Sequence, residues 1–286
     1  MSNMNVNYPP EYWEIGTMSD FLEAVSPSCL EECKRAGIKC LELFMVGSTI
    51  NTSAETIIKK YSEDFKIIQN SGLGLWSVHL PFGTAWDISA RNEDKRRHIV
   101  EKHFQLIEYA ARWGAGNATI HASWEPVKAN ERSQRFVCAE KSIRAIAQKA
   151  LECNMRLAVE CLPRTCLGNN SGELLQLTAC ENAFICLDCN HLFSETHRDF
   201  IRNAGHKIST LHVSDYDGID EKHWIPGKGI INWKEVVEEL VKVRYKGPFL
   251  FEVNRKYKDE ICTVYDLADF WKHLCTCLKG YGKNDG

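Results

Sequence analysis

The 286-residue sequence has few of the residues that interrupt regular structure, with only 8 Pro and 18 Gly. No low-complexity segment and no Pro-, Gly- or Ser-rich linker divides it, so we predict one domain over residues 1–286. An excess of positive charge is also lacking, because 35 basic residues face 38 acidic ones. That balance gives no reason to expect nucleic acid or a membrane as a partner. With 44% hydrophobic residues, the chain can bury a large core, which excludes disorder as the dominant state.

Long hydrophobic runs are absent, since the longest apolar stretches are far too short to span a bilayer. The opening residues carry neither the basic start nor the apolar core of a secretion signal, so we expect a cytoplasmic protein. The 13 cysteines are odd in number and scattered, which favours reduced thiols in the core. One pair, Cys186 and Cys189, has zinc-like spacing, but it lies in a predicted strand whose alternation directs the two thiols to opposite faces.

Apolar, β-prone runs recur along the chain, and each precedes a stretch with helical periodicity. The predicted strands are 13–17, 39–44, 75–79, 118–121, 156–161, 183–188, 208–213 and 249–253. Helices are predicted at 19–25 with 29–36, and at 54–70, 92–113, 133–153, 172–179, 195–204, 233–243 and 265–278. Ser19, Ser53 and Asn232 are the expected helix caps, and Gly37 and Gly114 the expected helix ends.

Eight strand–helix units predict an α/β fold, a parallel (β/α)8 barrel with right-handed connections. A doubly wound open sheet more often has five or six strands, and the first strand is not followed by a Gly-rich dinucleotide-binding loop. In such a barrel the active site lies at the carboxyl ends of the strands. Six predicted strand ends carry a carboxylate or an imidazole in an otherwise apolar run: His79, His121, Glu160, Asp188, His212 and Glu252.

These six groups are costly to bury unless they are paired or bind a cation, and one shared metal would account for all of them. Two Glu, one Asp and one His provide hard oxygen ligands and one nitrogen, which suits Mn, Mg, Co or Zn. His191, three residues beyond Asp188, could contact a substrate, bind a second ion or lie in solvent. Glu42 at the second strand end could be a pocket group or an ion-pair partner.

Other residues near the strand ends could contact a sugar. Aromatic rings can stack on the apolar face of a sugar or simply pack between loops; the candidates are Phe82, Trp86, Trp124 and Trp224. Arg164 and Lys228 are the candidates for binding a phosphate group. The turn Pro226-Gly-Lys-Gly229 presents backbone amides that could hold an anion or a hydroxyl.

Several motifs carry a resemblance to a known family: Val78-His-Leu-Pro81, Val159-Glu-Cys-Leu-Pro163, Leu187-Asp-Cys-Asn-His191, Leu211-His-Val-Ser-Asp215, His223 with Pro226-Gly-Lys-Gly229, and Phe251-Glu-Val253. Together they resemble the xylose isomerase-like superfamily of TIM barrels. That group includes sugar-phosphate isomerases and epimerases, ketose 3-epimerases, inosose dehydratases and the AP endonuclease family 2 nucleases.

The resemblance implies one divalent metal ion, held by Glu160, Asp188, His212 and Glu252. The resemblance also implies that His191 and His223 face the substrate. Among sugar-acting members His79 and His121 would line the pocket, so all four histidines are expected to bind substrate. The two metal-binding glutamates, Glu160 and Glu252, would also form the acid–base pair.

We therefore expect a metal-dependent sugar or sugar-phosphate isomerase or epimerase that removes a proton next to a carbonyl through a metal-bound enediolate. Its partner would be the small-molecule sugar, and self-association into a homo-oligomer is compatible with the sequence. The alternatives are an inosose-type dehydratase, a non-catalytic carbohydrate-binding barrel and an endonuclease-IV-type apurinic nuclease with three zinc ions. The nuclease pattern has Asp where this chain has Glu221, and the mildly acidic charge argues against duplex binding.

Overall fold

The computed structural model describes residues 10–46 and 52–279, so the opening residues used in the secretion argument lie outside it. Eight strands alternate with eight helices. The strands are β1 Ile15–Met18, β2 Cys40–Phe44, β3 Gly74–His79, β4 Asn117–Ile120, β5 Arg156–Glu160, β6 Ala183–Asp188, β7 Ile208–His212 and β8 Phe249–Phe251. The helices are α1 Pro27–Ala36, α2 Ala54–Ser71, α3 Glu93–Arg112, α4 Ala129–Glu152, α5 Ser171–Leu177, α6 His197–Ala204, α7 Trp233–Lys242 and α8 Val264–Lys279. A short hairpin, β9 Lys256–Tyr257 and β10 Glu260–Ile261, precedes α8.

The eight strands form a parallel barrel, which confirms the predicted fold class. Neighbouring strands pair in the order β7-β6-β5-β4-β3-β2-β1-β8. Between β7 and β8 the ring closes through Val213, whose amide donates to the Leu250 carbonyl at 2.9 Å. The Val213 carbonyl accepts from the Glu252 amide at 3.0 Å. Because every strand runs the same way, all eight carboxyl ends meet at one mouth of the barrel.

Local sequence signals set most helix boundaries. Ser53 and Asn232 cap α2 and α7, accepting from the Thr56 and Glu235 amides respectively. Gly37 ends α1 at a φ of 97°, a conformation that favours glycine. Gly114, also at positive φ, follows the end of α3 at Arg112.

The predicted cap at Ser19 is wrong. Its hydroxyl accepts a hydrogen bond from the Phe44 amide instead. The segment after β1 forms only a 3-10 turn, Ser19–Phe21. Helix α1 begins later, with Ser26 as its cap and Pro27 at its first position, where a fixed φ suits a helix start.

The core lies between the barrel and its surrounding helices, and the strands are buried on both faces, as parallel sheets are. None of the 13 cysteines forms a disulfide bond among the described residues, as predicted. Cys186 and Cys189 are both fully buried and neither belongs to any of the potential metal-binding groups among the described residues.

Within residues 10–46 and 52–279, none of the helices has the length and apolar character needed to cross a bilayer.

His103, fully buried on α3, generates a testable prediction about stability. Burial is the main reason that its pKa is lowered to about 3, with a smaller contribution from the charge of Lys102, so the folded protein keeps this ring neutral. An unfolded chain takes up the proton below about pH 6.5. Stability is therefore expected to fall as pH decreases from about 6.5 to 3, by up to about 1.4 kcal/mol per pH unit from this residue.

Replacing the ring, as in His103→Leu, should remove that component of the pH slope in urea unfolding. His98→Leu on the exposed side of the same helix controls for loss of a histidine. Equal pH slopes for wild type and His103→Leu would contradict the assignment.

Candidate metal centre and active site

Four predicted ligands converge at the mouth of the barrel. Glu160, Asp188 and His212 are the last residues of β5, β6 and β7, and Glu252 directly follows β8. One donor atom from each residue lies within 4.8 Å of the donor atoms of the other three. His212 Nδ1 is 2.9 Å from a Glu252 oxygen and 3.4 Å from a Glu160 oxygen. We call these four residues the ligand cluster.

The ligand cluster fits a divalent cation. Three of its buried atoms form no well-aligned hydrogen bond with the described residues, although a polar atom faces each of them: Asp188 Oδ2, His212 Nδ1 and Glu252 Oε2. Such orphaned donor atoms are rare in protein interiors and are satisfied when they coordinate an ion. Burial raises the pKa of Asp188 well above its ordinary value, against the opposing charge of His191. A cation beside Asp188 would offset that burial, because it stabilises the ionised carboxylate.

Glu42 orients the histidine of the ligand cluster. A Glu42 oxygen lies 2.9 Å from His212 Nε2, which turns Nδ1 toward the other ligands. The second Glu42 oxygen accepts from the hydroxyls of Ser77 and Thr119. Burial alone would raise the pKa of Glu42, but the charge and hydrogen bond of His212, together with His79 and Ser77, outweigh burial and lower the pKa. Of the two roles left open by the sequence, Glu42 therefore has that of ion-pair partner.

His79 and His121 both contact one oxygen of Glu160. Their Nε2 atoms lie 2.9 and 3.0 Å from Glu160 Oε2. His79 Nδ1 lies 3.0 Å from the Leu80 carbonyl, so both of its ring nitrogens face acceptors. Burial disfavours the charged ring, but the hydrogen bond to Glu160 and the charges of Glu160 and Glu42 together outweigh burial and raise the pKa of His79. His79, His121 and Glu160 form a second group able to hold an ion.

His191 and His223 lie on the opposite flank of the ligand cluster. His191 Nδ1 is 2.9 Å from the Cys161 carbonyl and 3.1 Å from Asp188 Oδ2, and its Nε2 faces Glu221 at 3.4 Å. His223 has a positive φ of 47°, and its Nδ1 lies 3.2 Å from the Glu252 carbonyl. Together with Asp188 these two histidines form a third group able to hold an ion.

A cavity of about 270 Å³ opens above these groups. It is lined by all four histidines expected to face a substrate: His79, His121, His191 and His223. Two of the four candidate aromatic residues also line it, Phe82 and Trp124. Phe82 stacks on the His121 ring with 4.2 Å between ring centres, which makes one flat wall.

The other two aromatic candidates lie elsewhere. Trp86, in the loop between β3 and α3, is buried, with Lys102 over its ring and His103 against its edge. The Trp224 ring contacts Tyr257 of the β9–β10 hairpin and is not part of the cavity lining. Of the two roles left open for the aromatic residues, these two therefore have that of packing between loops. Loop side chains follow local packing, which sequence position alone does not reveal.

Of the two candidate phosphate-binding residues, only one lines the cavity. Lys228 lies 5.6 Å from the centre of the Tyr257 ring and does not line the cavity. Arg164 does line it, but its guanidinium is engaged by three carboxylates, those of Glu125, Asp220 and Glu221. The side chain's positive charge is thus already balanced within the protein.

Asp20 is a cavity residue that the sequence analysis missed. It lies in the 3-10 turn after β1, on the side of Glu252. Burial raises its pKa to about 6, and the charge of Glu252 adds to the shift. The predicted first strand ends at residue 17, one position before the observed end, so considering only strand ends did not place Asp20 at the mouth. The signal that could have identified Asp20 is a carboxylate within a few residues after a strand, and not only at the last position of the strand.

The fold and the mouth define a TIM barrel with a carboxylate–histidine centre. The chain belongs to the xylose isomerase-like TIM barrel family, whose model matches residues 30–274.

Characterised and uncharacterised relatives agree with this assignment. D-psicose 3-epimerase of Enterocloster bolteae is 29% identical over 137 residues, which are 43% of this chain and 42% of that enzyme. An uncharacterized protein of Methanocaldococcus jannaschii is 26% identical over 203 residues, 68% of this chain and 69% of that protein. Among solved structures, a D-tagatose 3-epimerase-like protein superposes with a TM-score of 0.75 at 20% identity, covering 93% of this chain and 98% of that one.

The ligand cluster predicts that a divalent cation stabilises the protein. Manganese at about 100 times its dissociation constant should raise the free energy of unfolding by about 2.7 kcal/mol, because only the folded state assembles the ligands. The increase is measured as a rise in Tm, and EDTA should reverse it. Asp188→Asn should lose most of the effect, whereas the exposed Asp94→Asn is the control. An unchanged response in Asp188→Asn would place the ion outside the cluster.

Proposed function

We propose that this protein is a divalent-metal-dependent isomerase or epimerase of an unphosphorylated sugar. The observation that carries the proposal is the ligand cluster, whose two glutamates, Glu160 and Glu252, both line a cavity with an aromatic wall. Moving a proton at a carbon next to a carbonyl requires a base and an acid at that carbon. Two carboxylates at the floor of one cavity meet that requirement.

The two glutamates enter the cavity from different sides. Glu160 comes from β5 and Glu252 from the end of β8, three strands apart around the ring. Burial disfavours both charges, yet His121 and His212 lower the pKa of Glu160 and His212 lowers that of Glu252. Each carboxylate is thus held ionised and able to accept a proton. In an epimerisation, one would take the proton from one face of the substrate carbon, and the other, in its protonated form, would donate a proton to the opposite face.

A bound divalent ion would supply a Lewis acid that stabilises negative charge on the substrate oxygens. Around the ligand cluster, His191 and His223 present ring nitrogens that can orient hydroxyl groups. Phe82 and Trp124 present apolar faces on which a sugar ring can lie, and they exclude water from the reacting carbon.

The charges at the cavity favour an unphosphorylated substrate. Its lining includes the carboxylates Asp20, Glu125 and Glu221 in addition to the two glutamates of the ligand cluster. Arg164 is the sole Lys or Arg side chain in that lining, and three carboxylates already balance it. A phosphate dianion entering here would be repelled by the net negative charge of the lining, whereas a neutral sugar carries no charge to be repelled. The similarity to D-psicose 3-epimerase is consistent with a free sugar as substrate.

Removing either carboxylate is expected to stop turnover. Glu160→Gln and Glu252→Gln should each reduce exchange of the substrate α-proton with deuterated water by about 10²–10⁴-fold or more, because an amide does not accept the proton. NMR on a panel of ketoses, ketose phosphates and inososes measures the exchange, and mass spectrometry detects the loss of water that a dehydratase would cause.

Glu181→Gln, an exposed glutamate away from the cavity, is the matched control. Metal content measured in the same samples separates loss of the ion from loss of the base. Wild-type exchange in either Glu160→Gln or Glu252→Gln would refute the acid–base assignment.

A second candidate, the apurinic nuclease, rests on a specific observation. The two flanking groups, His79–His121–Glu160 and Asp188–His191–His223, overlap the ligand cluster through Glu160 and Asp188. Three overlapping groups are what a three-zinc centre would need. Against it, Glu221 stands where the nuclease pattern has Asp, and the net charge of −3 disfavours a DNA backbone.

Metal stoichiometry discriminates between the two candidates. We expect one tightly bound divalent ion per chain after dialysis, measured by elemental analysis of protein purified without added metal. His121→Ala should leave that single ion bound, because His121 lies outside the ligand cluster. Three ions per chain, reduced in number by His121→Ala and accompanied by cleavage of abasic DNA, would instead establish the nuclease.

A further inference from the structure

The short segment Glu221–His223 presents two side chains to the cavity above the ligand cluster. Glu221 and His223 both line that cavity, and Lys222 lies between them in the connection from β7 to α7. The three residues belong to no helix or strand. An irregular segment opens easily unless contacts with other parts of the chain hold it. We call these three residues the cavity segment.

Two asparagine side chains hold the middle of the cavity segment. The Lys222 amide donates to Asn190 Oδ1 at 3.2 Å, and the Lys222 carbonyl accepts from Asn254 Nδ2 at 3.0 Å. The Asn254 amide also donates to the His223 carbonyl at 2.7 Å. Asn190 follows β6 and Asn254 follows β8, the two strands on either side of β7. The cavity segment is therefore held from both sides of the strand that precedes it.

Asn190 connects the cavity segment directly to the ligand cluster. Its backbone amide donates to Asp188 Oδ1 at 2.7 Å, while its side-chain oxygen accepts from the Lys222 amide. One residue thus contacts a predicted metal ligand through its main chain and the cavity segment through its side chain. A substitution at Asn190 keeps the main-chain contact and removes only the side-chain contact, so the two can be tested separately.

The Asn190 side chain can act on a substrate only through the residues that it holds. It is fully buried and is not part of the cavity lining. Its Nδ2 forms no hydrogen bond with the described residues, so the contact with Lys222 is the side-chain hydrogen bond that offsets the burial of this amide. Arg164 also pairs with Glu221, but that ion pair is partly exposed to solvent, which weakens it.

We propose that Asn190 is a positioning residue for substrate binding, acting through Lys222 on the cavity segment. The role rests on the proposed function, because it takes the side chains of the cavity segment as contacts of the sugar. The 3.4 Å contact between Glu221 Oε2 and His191 Nε2 depends on the same placement. A looser cavity segment would misplace these groups for the sugar while leaving the ligand cluster assembled.

The Asn190→Leu variant tests the proposal by two independent measurements. Amide hydrogen exchange in the cavity segment should be about tenfold faster than in wild type or more, because the Lys222 amide loses its acceptor. KM should rise about tenfold while kcat changes by less than about threefold, as expected when binding alone is weakened. The probe is the ketose that the wild type exchanges fastest in the panel above, starting with D-psicose. The rise in Tm with manganese should be unchanged.

Asn117→Leu is the matched control. Asn117 is also a buried asparagine with one unpartnered amide atom, but it is the first residue of β4, at the opposite end of the barrel. Its variant should keep the wild-type KM and the wild-type exchange of the cavity segment. If Asn190→Leu folds poorly, Asn254→Ala removes the other side-chain contact from an exposed position and should likewise speed the exchange.

Unchanged amide exchange in Asn190→Leu would overturn the proposal, and so would an unchanged KM beside faster exchange. Loss of the manganese effect would overturn it as well, because Asn190 would then act on Asp188. Failure of the proposed function has a different signature, since the wild type itself would turn over none of the sugars. The substrate-binding role would then fall with that function, whereas the amide exchange would still decide whether Asn190 holds the cavity segment.

Discussion

The contact on which the mouth of the barrel depends is that between Glu160 and its histidines. Four imidazoles have a nitrogen within 3.4 Å of this one carboxylate: His79, His121, His191 and His212. A buried carboxylate without such partners would be neutral or would destabilise the fold. Because each histidine comes from a different strand end or loop, Glu160 can remain charged only when the barrel has closed. The ionised state of Glu160 therefore depends on the closed barrel.

The same balance between burial and neighbouring charges explains why the four residues of the ligand cluster are not equally well supported by the protein. His212 is held by Glu42 through one ring nitrogen and presents the other to the remaining ligands. Asp188 has no comparable support, since burial raises its pKa while His191 opposes the shift only in part. A cation would act where the protein's own charges are insufficient.

Much of the fold and the site could be predicted from the sequence. Alternating β-prone and helical segments predict the barrel, and its parallel strands place His79, Glu160 and Asp188 at one mouth before any coordinate is known. Position could not be predicted where it depends on loop packing. Trp86, in the loop between β3 and α3, is buried away from the cavity, and Asp20 lines the cavity from a 3-10 turn. Neither strand periodicity nor residue type determines how a loop folds back on its barrel.

The sequence was sufficient to predict the number of strand–helix units, the direction of the strands and the kinds of side chain at their carboxyl ends, because these follow from local periodicity and residue chemistry. Which atoms meet depends on the folded chain as a whole. Glu42 and His212 are separated by 170 residues, yet their contact selects the ring nitrogen that faces the ligands. Charge compensation and the unsatisfied ligand atoms likewise arise between distant segments, and they exist only once the ring of strands has closed.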